Sequence, residues 1–328
     1  MTSLKRRRLN SRSMAAISGL AVIAIILFPA ASSLPAATPA QESKTLAERL
    51  GYEADARLLI VHADDLAVAH SVDAASTKAL DTGSVSSASI MVPCPWLTEI
   101  AEYAKAHPQA DLGLHLTLTS EWALYRWGPV APREQVLSLL GRDGYLYPTE
   151  SVAARSISPR EAEIEVRAQI ERARAFGINP THLDSHMGTL FQTKELFEIL
   201  LRAGHDYKLP VLVSKDLARG GPFTGSLGPG DIMIDSVVTI TPAVTAEHWA
   251  EFYINTIKNL KPGITELIIH LAYDDEEMRA VTFNHPDWGA AWRQRDFNFF
   301  TSEQCRKLLE ENHVKLITWR EIGKLLHM

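Results

Sequence analysis

Apolar runs of strand length alternate with helix-period segments along most of the chain, and this alternation limits the fold more than any other feature. The apolar runs are Leu58–Ala63, Val85–Val92, Asp111–Thr119, Thr181–His186, Pro210–Ser214, Ile232–Ile240, Thr265–His270 and Val314–Thr318. The helix-period segments are Val72–Leu80, Trp96–Ala106, Pro159–Phe176, Lys194–Ala203, Ala246–Leu260 and Ser302–Glu311. Repeated strand, helix and strand imply right-handed crossovers and a parallel sheet. The pattern predicts an α/β fold: a single (β/α) barrel, TIM-like or irregular with fewer strands, with a doubly wound open sheet as the alternative.

The first 40 residues have the order of a secretory signal. The cationic cluster Lys5–Arg8 precedes eighteen uncharged residues, Met14–Ala31, and then the small, proline-broken stretch Ser32–Ala40. An uncleaved anchor is the alternative, because eighteen residues approach the ~20 that span a bilayer; the arginines also allow a twin-arginine signal. The sequence therefore predicts residues 1–40 as a signal peptide or N-terminal anchor and 41–328 as one domain. The predicted location is periplasmic or extracellular, with the body exported.

Charge and cysteine usage exclude several classes of protein. The formal net charge is −6, and residues 1–40 contain five cations and no acid, so the body without them carries −11. A body of that charge repels phosphate backbones, which excludes a nucleic-acid partner. Cys94 and Cys305 are too few for a disulfide scaffold or a cysteine-built zinc ribbon. They form one bridge or remain two free buried thiols.

Ionisable side chains follow the predicted strands at the points where the strands end. Asp64 and Asp65 directly follow the apolar run Leu58–Ala63. Carboxylates in such a place are paired, hydrogen-bonded or metal-bound, although a helix cap beside a solvated neighbour is the simpler alternative. His115 lies in a strictly alternating strand and shares its face with Gly113. A lone histidine of this kind is more often part of the core than a ligand.

The segment Thr181–His186 adds two histidines and a carboxylate. On a strand of period two, His182, Asp184 and His186 would lie on one side. His270 ends a later strand, so four separate strands end in ionisable groups, at the carboxyl edge where barrel enzymes carry their chemistry.

These residue types together favour hydrolysis. Two neutral imidazoles and one carboxylate can bind a metal and leave positions open for water and a substrate carbonyl. A second carboxylate beside the ligand can act as general base, and a histidine on the opposite wall can protonate a leaving amine. The sequence has no Gly-x-Ser-x-Gly elbow, and neither cysteine has a nucleophile's setting, so covalent acyl transfer is poorly supported.

The sequence resembles the YdjC-like carbohydrate deacetylase family, which includes chitooligosaccharide deacetylases and hopanoid-associated deacetylase-like proteins. The matching segments, in the family's order, are Leu59–Leu66 (LIVHADDL), Val85–Val92 (VSSASIMV), Gly113–Thr117 (GLHLT), Thr181–His186 (THLDSH) and Thr265–His270 (TELIIH). The resemblance implies a barrel of the glycoside hydrolase and deacetylase type. It also implies one divalent cation, Mg, Zn or another metal, and removal of acetyl groups from N-acetylated sugars.

The resemblance also implies roles for individual residues. Asp65, His115 and His186 match the metal ligands. By similarity to the more distant NodB-like deacetylases, Asp64 matches the base, and His270 matches the histidine expected to act as general acid. Asp184 and His182 would then orient the ligands.

Three departures from the family pattern concern the sugar pocket. Met187–Phe191 replaces further histidines, Leu271-Ala272 follows His270 where proline is usual, and Leu66-Ala67 replaces Phe-Gly. The metal positions and the base survive these changes. The resemblance therefore implies an exported branch of the family with its own acceptor.

Aromatic and cationic residues beside the predicted site are candidates for sugar binding. They are Trp122, Tyr125, Arg126 and Trp127 after the His115 strand, and Arg295 within a second cluster that also contains Trp288, Trp292 and Arg293. Trp and Tyr faces stack on sugar rings, while the alternative is that the two loops pack on each other over the barrel.

The sequence as a whole predicts a secreted, metal-dependent carbohydrate N-deacetylase. Its expected partner is an N-acetylated mono- or oligosaccharide, with membrane contact only through an uncleaved N-terminal segment, and it predicts no particular oligomeric state. A non-catalytic sugar-binding barrel and another metal hydrolase, an esterase or a glycosidase, are the competing functions.

Overall fold

Seven strands form one sheet in the computed structural model, which describes residues 44–220, 225–228 and 230–326. They are β1 (Arg57–Leu66), β2 (Ser87–Ile90), β3 (Leu112–Leu116), β4 (Leu183–Ser185), β5 (Ser236–Thr239), β6 (Gly263–His270) and β7 (Lys315–Leu316). The order is β4-β3-β2-β1-β6-β5, and β7 pairs with the start of β1. All these pairs are parallel, so the carboxyl ends of the strands lie along one edge.

Helices occupy the connections between the strands. They are α1 (Leu46–Arg49), α2 (His70–Thr82), α3 (Leu97–Ala106), α4 (Glu150–Ser156), α5 (Pro159–Ala175), α6 (Lys194–Tyr207), α7 (Lys215–Gly220), α8 (Trp249–Lys258), α9 (Glu276–Val281), α10 (Ala290–Phe300), α11 (Glu303–Glu311) and α12 (Trp319–Gly323). A 3-10 turn, His186–Phe191, directly follows β4. None of the helices in the described ranges is long and apolar enough to span a membrane.

The sheet curls beyond its last regular strands. The parallel bridges Leu183↔Val211 and Ser214↔Ile234 connect β4, through segment 211–214, to the chain that enters β5. The predicted α/β class and parallel sheet are confirmed. The run predicted as a strand at Pro210–Ser214 contributes isolated bridges instead of a regular strand.

Alternate residues of β1 enter two different cores. Leu59 and Val61 pack outward against the helices, whereas Leu58 and Ile60 pack inside the curl with Ile264. The inward set continues along β1 with His62 and Asp64, following the period of two. The apolar interior therefore ends where the ionisable residues begin.

Several sequence predictions differ from the structure in extent. The strand predicted over Thr181–His186 is shorter in the structure, because β4 contains only Leu183–Ser185. His186 therefore lies on the following turn, where Met187 and Gly188 have positive φ values of 51° and 63°. Ser158 precedes α5 as predicted, although its side chain makes no capping hydrogen bond among the described residues. The predicted signal, residues 1–40, lies outside the described residues.

Candidate active site

Asp64 and Asp65 both reach the same site, although neighbours on a regular strand point to opposite faces. Asp65 has a φ of 74°, in the left-handed region, and the β1–β2 register shifts between Ala63 and Leu66. A bulge of this kind re-aims a side chain. As a result, Asp64 Oδ2 and Asp65 Oδ1 lie 3.7 Å and 3.5 Å from the same atom, His115 Nε2.

His115 and Asp184 meet as register neighbours across β3 and β4. His115 Nδ1 donates to Asp184 Oδ1 at 2.8 Å, which leaves Nε2 directed at the two aspartates. Burial alone would raise the pKa of Asp184, but His115 and His62 lower it well below its usual range. Asp184 is therefore an ionised carboxylate that orients the imidazole.

Asp65, His115 and His186 bring three potential ligand atoms together. Asp65 Oδ1 lies 3.5 Å from His115 Nε2 and 3.4 Å from His186 Nδ1. The other carboxylate oxygen, Oδ2, accepts a 2.6 Å hydrogen bond from Arg293 Nη2. Oδ1 is buried and has no hydrogen-bond partner among the described residues.

His186 carries a carboxylate on its far side, as His115 does. His186 Nε2 lies 3.1 Å from Glu121 Oε2, so Nδ1 faces Asp65. Burial lowers the pKa of His186, but Glu121 and Asp65 outweigh it and raise the pKa to about 10. The surroundings of this imidazole therefore favour a positive charge.

These features fit a divalent cation. The donor set is two imidazole nitrogens and one carboxylate oxygen, a mixture common in catalytic zinc and related sites. The ligand atoms lie within 4.8 Å of one another, and the outer carboxylates Asp184 and Glu121 supply the usual partners of ligating histidines. Two neighbouring groups satisfy the same spacing, His62 with His182 and Asp184, and Asp64 with His115 and Asp184. Only the first group leaves a buried carboxylate oxygen without a partner among the described residues.

Asp64 and His270 are register neighbours on β1 and β6. His270 Nε2 lies 3.8 Å from Asp64 Oδ2. Burial is the main cause that lowers the pKa of His270, to about 4, so the imidazole is neutral at neutral pH. Asp296 accepts the backbone N–H of His270 at 3.0 Å and fixes the end of the strand.

The site opens into a cavity of about 580 Å³. Its polar wall includes Asp64, Asp65, His115, His186, His270 and Arg293. The opposite wall is mainly apolar, with Phe191, Leu212, Leu217, Val237 and Ile268. A volume in this range is typical of a small-ligand pocket.

The predicted sugar-binding residues lie in different environments. Trp122 is the one member of the predicted set among the described residues that line the cavity. The Tyr125 hydroxyl donates to Val68 O, and Trp127 Nε1 donates to Thr119 O. Arg126 donates to Leu146 O, while Arg295 lies over the Trp249 ring. These four side chains thus contact other parts of the protein, whereas Arg293, whose guanidinium lies 5.7 Å from the centroid of the Trp122 ring, joins the two clusters.

His182 and Asp184, both expected to orient ligands, occupy different positions. Asp184 contacts His115 directly, as described above. His182 hydrogen-bonds to Thr181 and stacks against the Trp319 ring, with centroids 5.3 Å apart. Its ring also occupies the space above Gly113, where a Cβ would overlap it.

Two residues of the site were not predicted. Glu121 follows β3 by a few residues and could have been suspected from its place beside Trp122. Arg293 is 228 positions from Asp65 in the chain. The sequence of its aromatic cluster does not indicate whether Arg293 or Arg295 points into the site.

Comparisons with known proteins identify relatives that match most of the chain. The profile of the YdjC-like protein family matches residues 58–311. A carbohydrate deacetylase from Thermus thermophilus is 33% identical over 288 residues, which cover 86% of this chain and 99% of that protein. One from Geobacillus stearothermophilus is 26% identical and covers 82% of this chain and 99% of its own length.

A solved structure shares the fold. An Enterococcus faecalis protein, provisionally described as a cellobiose-phosphate cleavage protein, superimposes with a TM-score of 0.69 at 24% identity. The match covers 81% of this chain and 99% of that one. The curled parallel sheet with His and Asp side chains at its carboxyl edge defines the class: an α/β protein with a candidate metal-binding site. The chain belongs to the YdjC-like protein family, as its motifs suggested.

Proposed function

We propose that this protein is a hydrolase that removes acetyl groups from N-acetylated carbohydrates. The observation that carries the proposal is the convergence of Asp64 and the Asp65, His115 and His186 group on one cavity. Relatives that match nearly their full length are carbohydrate deacetylases. The amide is the bond broken, and acetate and a free amino sugar are the products.

The residues of the site divide the chemistry between them. Asp65, His115 and His186 would hold a divalent cation, which would supply Lewis acidity toward water and the acetyl carbonyl. Asp64 removes the proton from the attacking water as general base. The water oxygen bonds to the carbonyl carbon, and the C–N bond breaks once the nitrogen receives a proton.

His270 is the residue that delivers this proton. Because its imidazole is neutral, it must first receive a proton before it can donate one. Asp64 Oδ2, at 3.8 Å, is the nearby group that can pass on the proton taken from water. We assign substrate contact to Trp122, because it lines the cavity.

The types of ligand atom indicate which metals fit the site. Two nitrogens and one carboxylate oxygen suit zinc, cobalt, nickel or manganese better than calcium, and magnesium fits through the family resemblance. We assign one ion, Mg or Zn, to this site.

We also propose that the sheet closes into an irregular (β/α) barrel. The two isolated bridges through segment 211–214 support this closure, since they link β4 to the strand pair β5 and β6. A cavity at the carboxyl end of the strands is the arrangement expected of a barrel enzyme.

Export is a further part of the proposed function. The cationic, apolar and small-residue order of residues 1–40 supports it. Fractionation of cells that produce the full chain should place the body outside the cytoplasm. Recovery of the full-length chain from the cytoplasm alone would contradict export.

Acetate release tests the proposed activity. The purified protein should release acetate from a panel of N-acetylated mono- and oligosaccharides, and a chelator should stop the release until a divalent metal is restored. An O-acetylated sugar and an unacetylated glycoside belong in the same panel. Turnover of only the O-acetylated sugar would indicate an esterase, and turnover of only the unacetylated glycoside would indicate a glycosidase. Binding without turnover would indicate a sugar-binding protein.

A further inference from the structure

His62 is a fully buried histidine at the base of the site. It lies on β1 two residues before Asp64, on the inward face, and its register neighbours are Ser87 on β2 and Ile268 on β6. Burial of an imidazole is costly unless its nitrogens are hydrogen-bonded.

Both nitrogens of His62 have polar neighbours. Nε2 lies 3.1 Å from Asp64 Oδ1, 3.2 Å from Asp184 Oδ2 and 3.1 Å from Ser89 Oγ. Nδ1 lies 2.9 Å from Ser87 Oγ and 3.8 Å from Glu266 Oε1. Burial lowers the pKa of His62, but Glu266, Asp184 and Asp64 outweigh it and raise the pKa well above the usual value.

The contacts around His62 form a closed circuit. Asp64 Oδ1 and Asp184 Oδ2 share the His62 nitrogen, and Asp184 Oδ1 accepts from His115 Nδ1. His115 Nε2 in turn lies 3.7 Å from Asp64 Oδ2. His62 Nε2 therefore contacts both the base and the carboxylate that orients His115, and Ser89 Oγ beside it donates to Asp64 Oδ1 at 3.2 Å.

We infer that His62 is a positioning residue that holds Asp64 Oδ1 at the floor of the site and so directs Oδ2 toward the reacting water. The inference rests on the proposed function. Two carboxylates converging on one buried point repel each other unless a donor lies between them, and His62 Nε2 is the atom in that place.

The same geometry assigns His62 as a donor and not as a ligand. His62, His182 and Asp184 satisfy the spacing of a metal site. Nε2, however, already lies within 3.2 Å of two carboxylate oxygens, inside the usual range of N–H···O distances. An N–H directed at these oxygens leaves no lone pair there for a metal.

A matched pair of amides tests the role of His62. The Gln side-chain nitrogen can occupy the place of imidazole Nε2, whereas the shorter Asn reaches only the place of Nδ1. His62→Gln should therefore retain most activity, while His62→Asn should lower kcat by about 10–100-fold, as outer partners of such sites do. KM should stay unchanged in both, and both proteins should bind metal in the same proportion as the unaltered chain.

Three other outcomes of this experiment would each overturn the inference. Equal kcat losses in the Asn and Gln variants would show that His62 only supports packing, and unchanged kcat in both would show that Asp64 needs no such support. Loss of metal from His62→Asn would place its effect at the metal ligands instead. Absence of acetate release from the unaltered protein would instead contradict the proposed function itself.

Two further variants keep the test decisive if His62→Asn fails to fold. Ser87→Ala removes the hydroxyl that orients the His62 ring and should lower kcat severalfold at constant KM; an unchanged kcat would contradict the inference. In an Asp64→Asn background, Ser87→Ala should have no added effect on kcat, because Ser87 orients His62 and His62 acts through Asp64. Additive losses would overturn this dependence.

Discussion

The inner face of the curled sheet has two chemically different halves. From β1 to β4 it presents His62, Asp64, Ser89, His115 and Asp184, linked to each other by hydrogen bonds or close charge pairs. From segment 211–214 to β6 it presents mainly Leu212, Val237 and Ile268. Glu266 and His270, both on β6, are ionisable residues of the second half that face the first: Glu266 Oε1 lies 3.8 Å from His62 Nδ1, and His270 is the register neighbour of Asp64.

The difference shows how one interior can be both a core and an active site. A buried ionisable group is tolerated only beside a partner of opposite charge or a hydrogen-bond donor. Such groups must therefore be contiguous, and four neighbouring strands provide that contiguity. The apolar half needs no such partners. It extends the lower core, which contains Leu58, Ile60 and Ile264, as far as the cavity.

The largest expected effect in the ionisable half is on the base. Asp64→Asn keeps the shape and the hydrogen-bonding capacity of the side chain but cannot accept a proton at neutral pH. We expect a loss of ~10²–10⁴ in kcat with metal affinity largely retained. Measurement of the rate together with a metal titration checks this expectation. Full activity of Asp64→Asn would show that the paired carboxylates do not take part in the reaction.

Asp65→Asn should act on the metal instead. A neutral amide offsets the charge of a cation poorly, so metal affinity should fall by more than the ~10–100-fold typical of outer partners. Added metal should then restore part of the activity. If Asp64→Asn lost the metal while Asp65→Asn kept it and was inactive, the two roles would be reversed.

The sequence predicted the parts of the site that depend on strand period and order. Asp64, His115, Asp184 and His270 were expected at strand ends, and β-sheet register brings them together as neighbours. The left-handed backbone of Asp65 could not be predicted, because it comes from a bulge set by the packing of β1 on β2. Arg293 could not be assigned for a related reason: its contact with Asp65 depends on how α10 packs over the sheet.

Asp184→Asn should have a smaller effect than either aspartate of the pair. It removes the negative charge that orients His115 Nδ1 and pairs with His62. We expect metal affinity to fall by ~10–100-fold, with recovery of kcat at saturating metal. Glu121→Gln is the matched comparison, since Glu121 supports His186 in the same way. Wild-type affinity in both variants would contradict the assignment of these ligands.

The smallest effect is expected in the apolar half. Ile268→Val removes one methylene from a half-buried side chain on the cavity wall, and should cost at most ~0.5–1.5 kcal/mol of unfolding free energy while kcat stays unchanged. Ile264→Val is the matched control, because it lies on the same strand and face but fully buried in the lower core. A change in KM for Ile268→Val alone would show that substrate contacts the apolar wall. A fall in kcat comparable to that of Asp184→Asn would instead mean that chemistry extends into both halves, because a side chain without a donor, acceptor or charge can affect the reaction only by displacing those that have one.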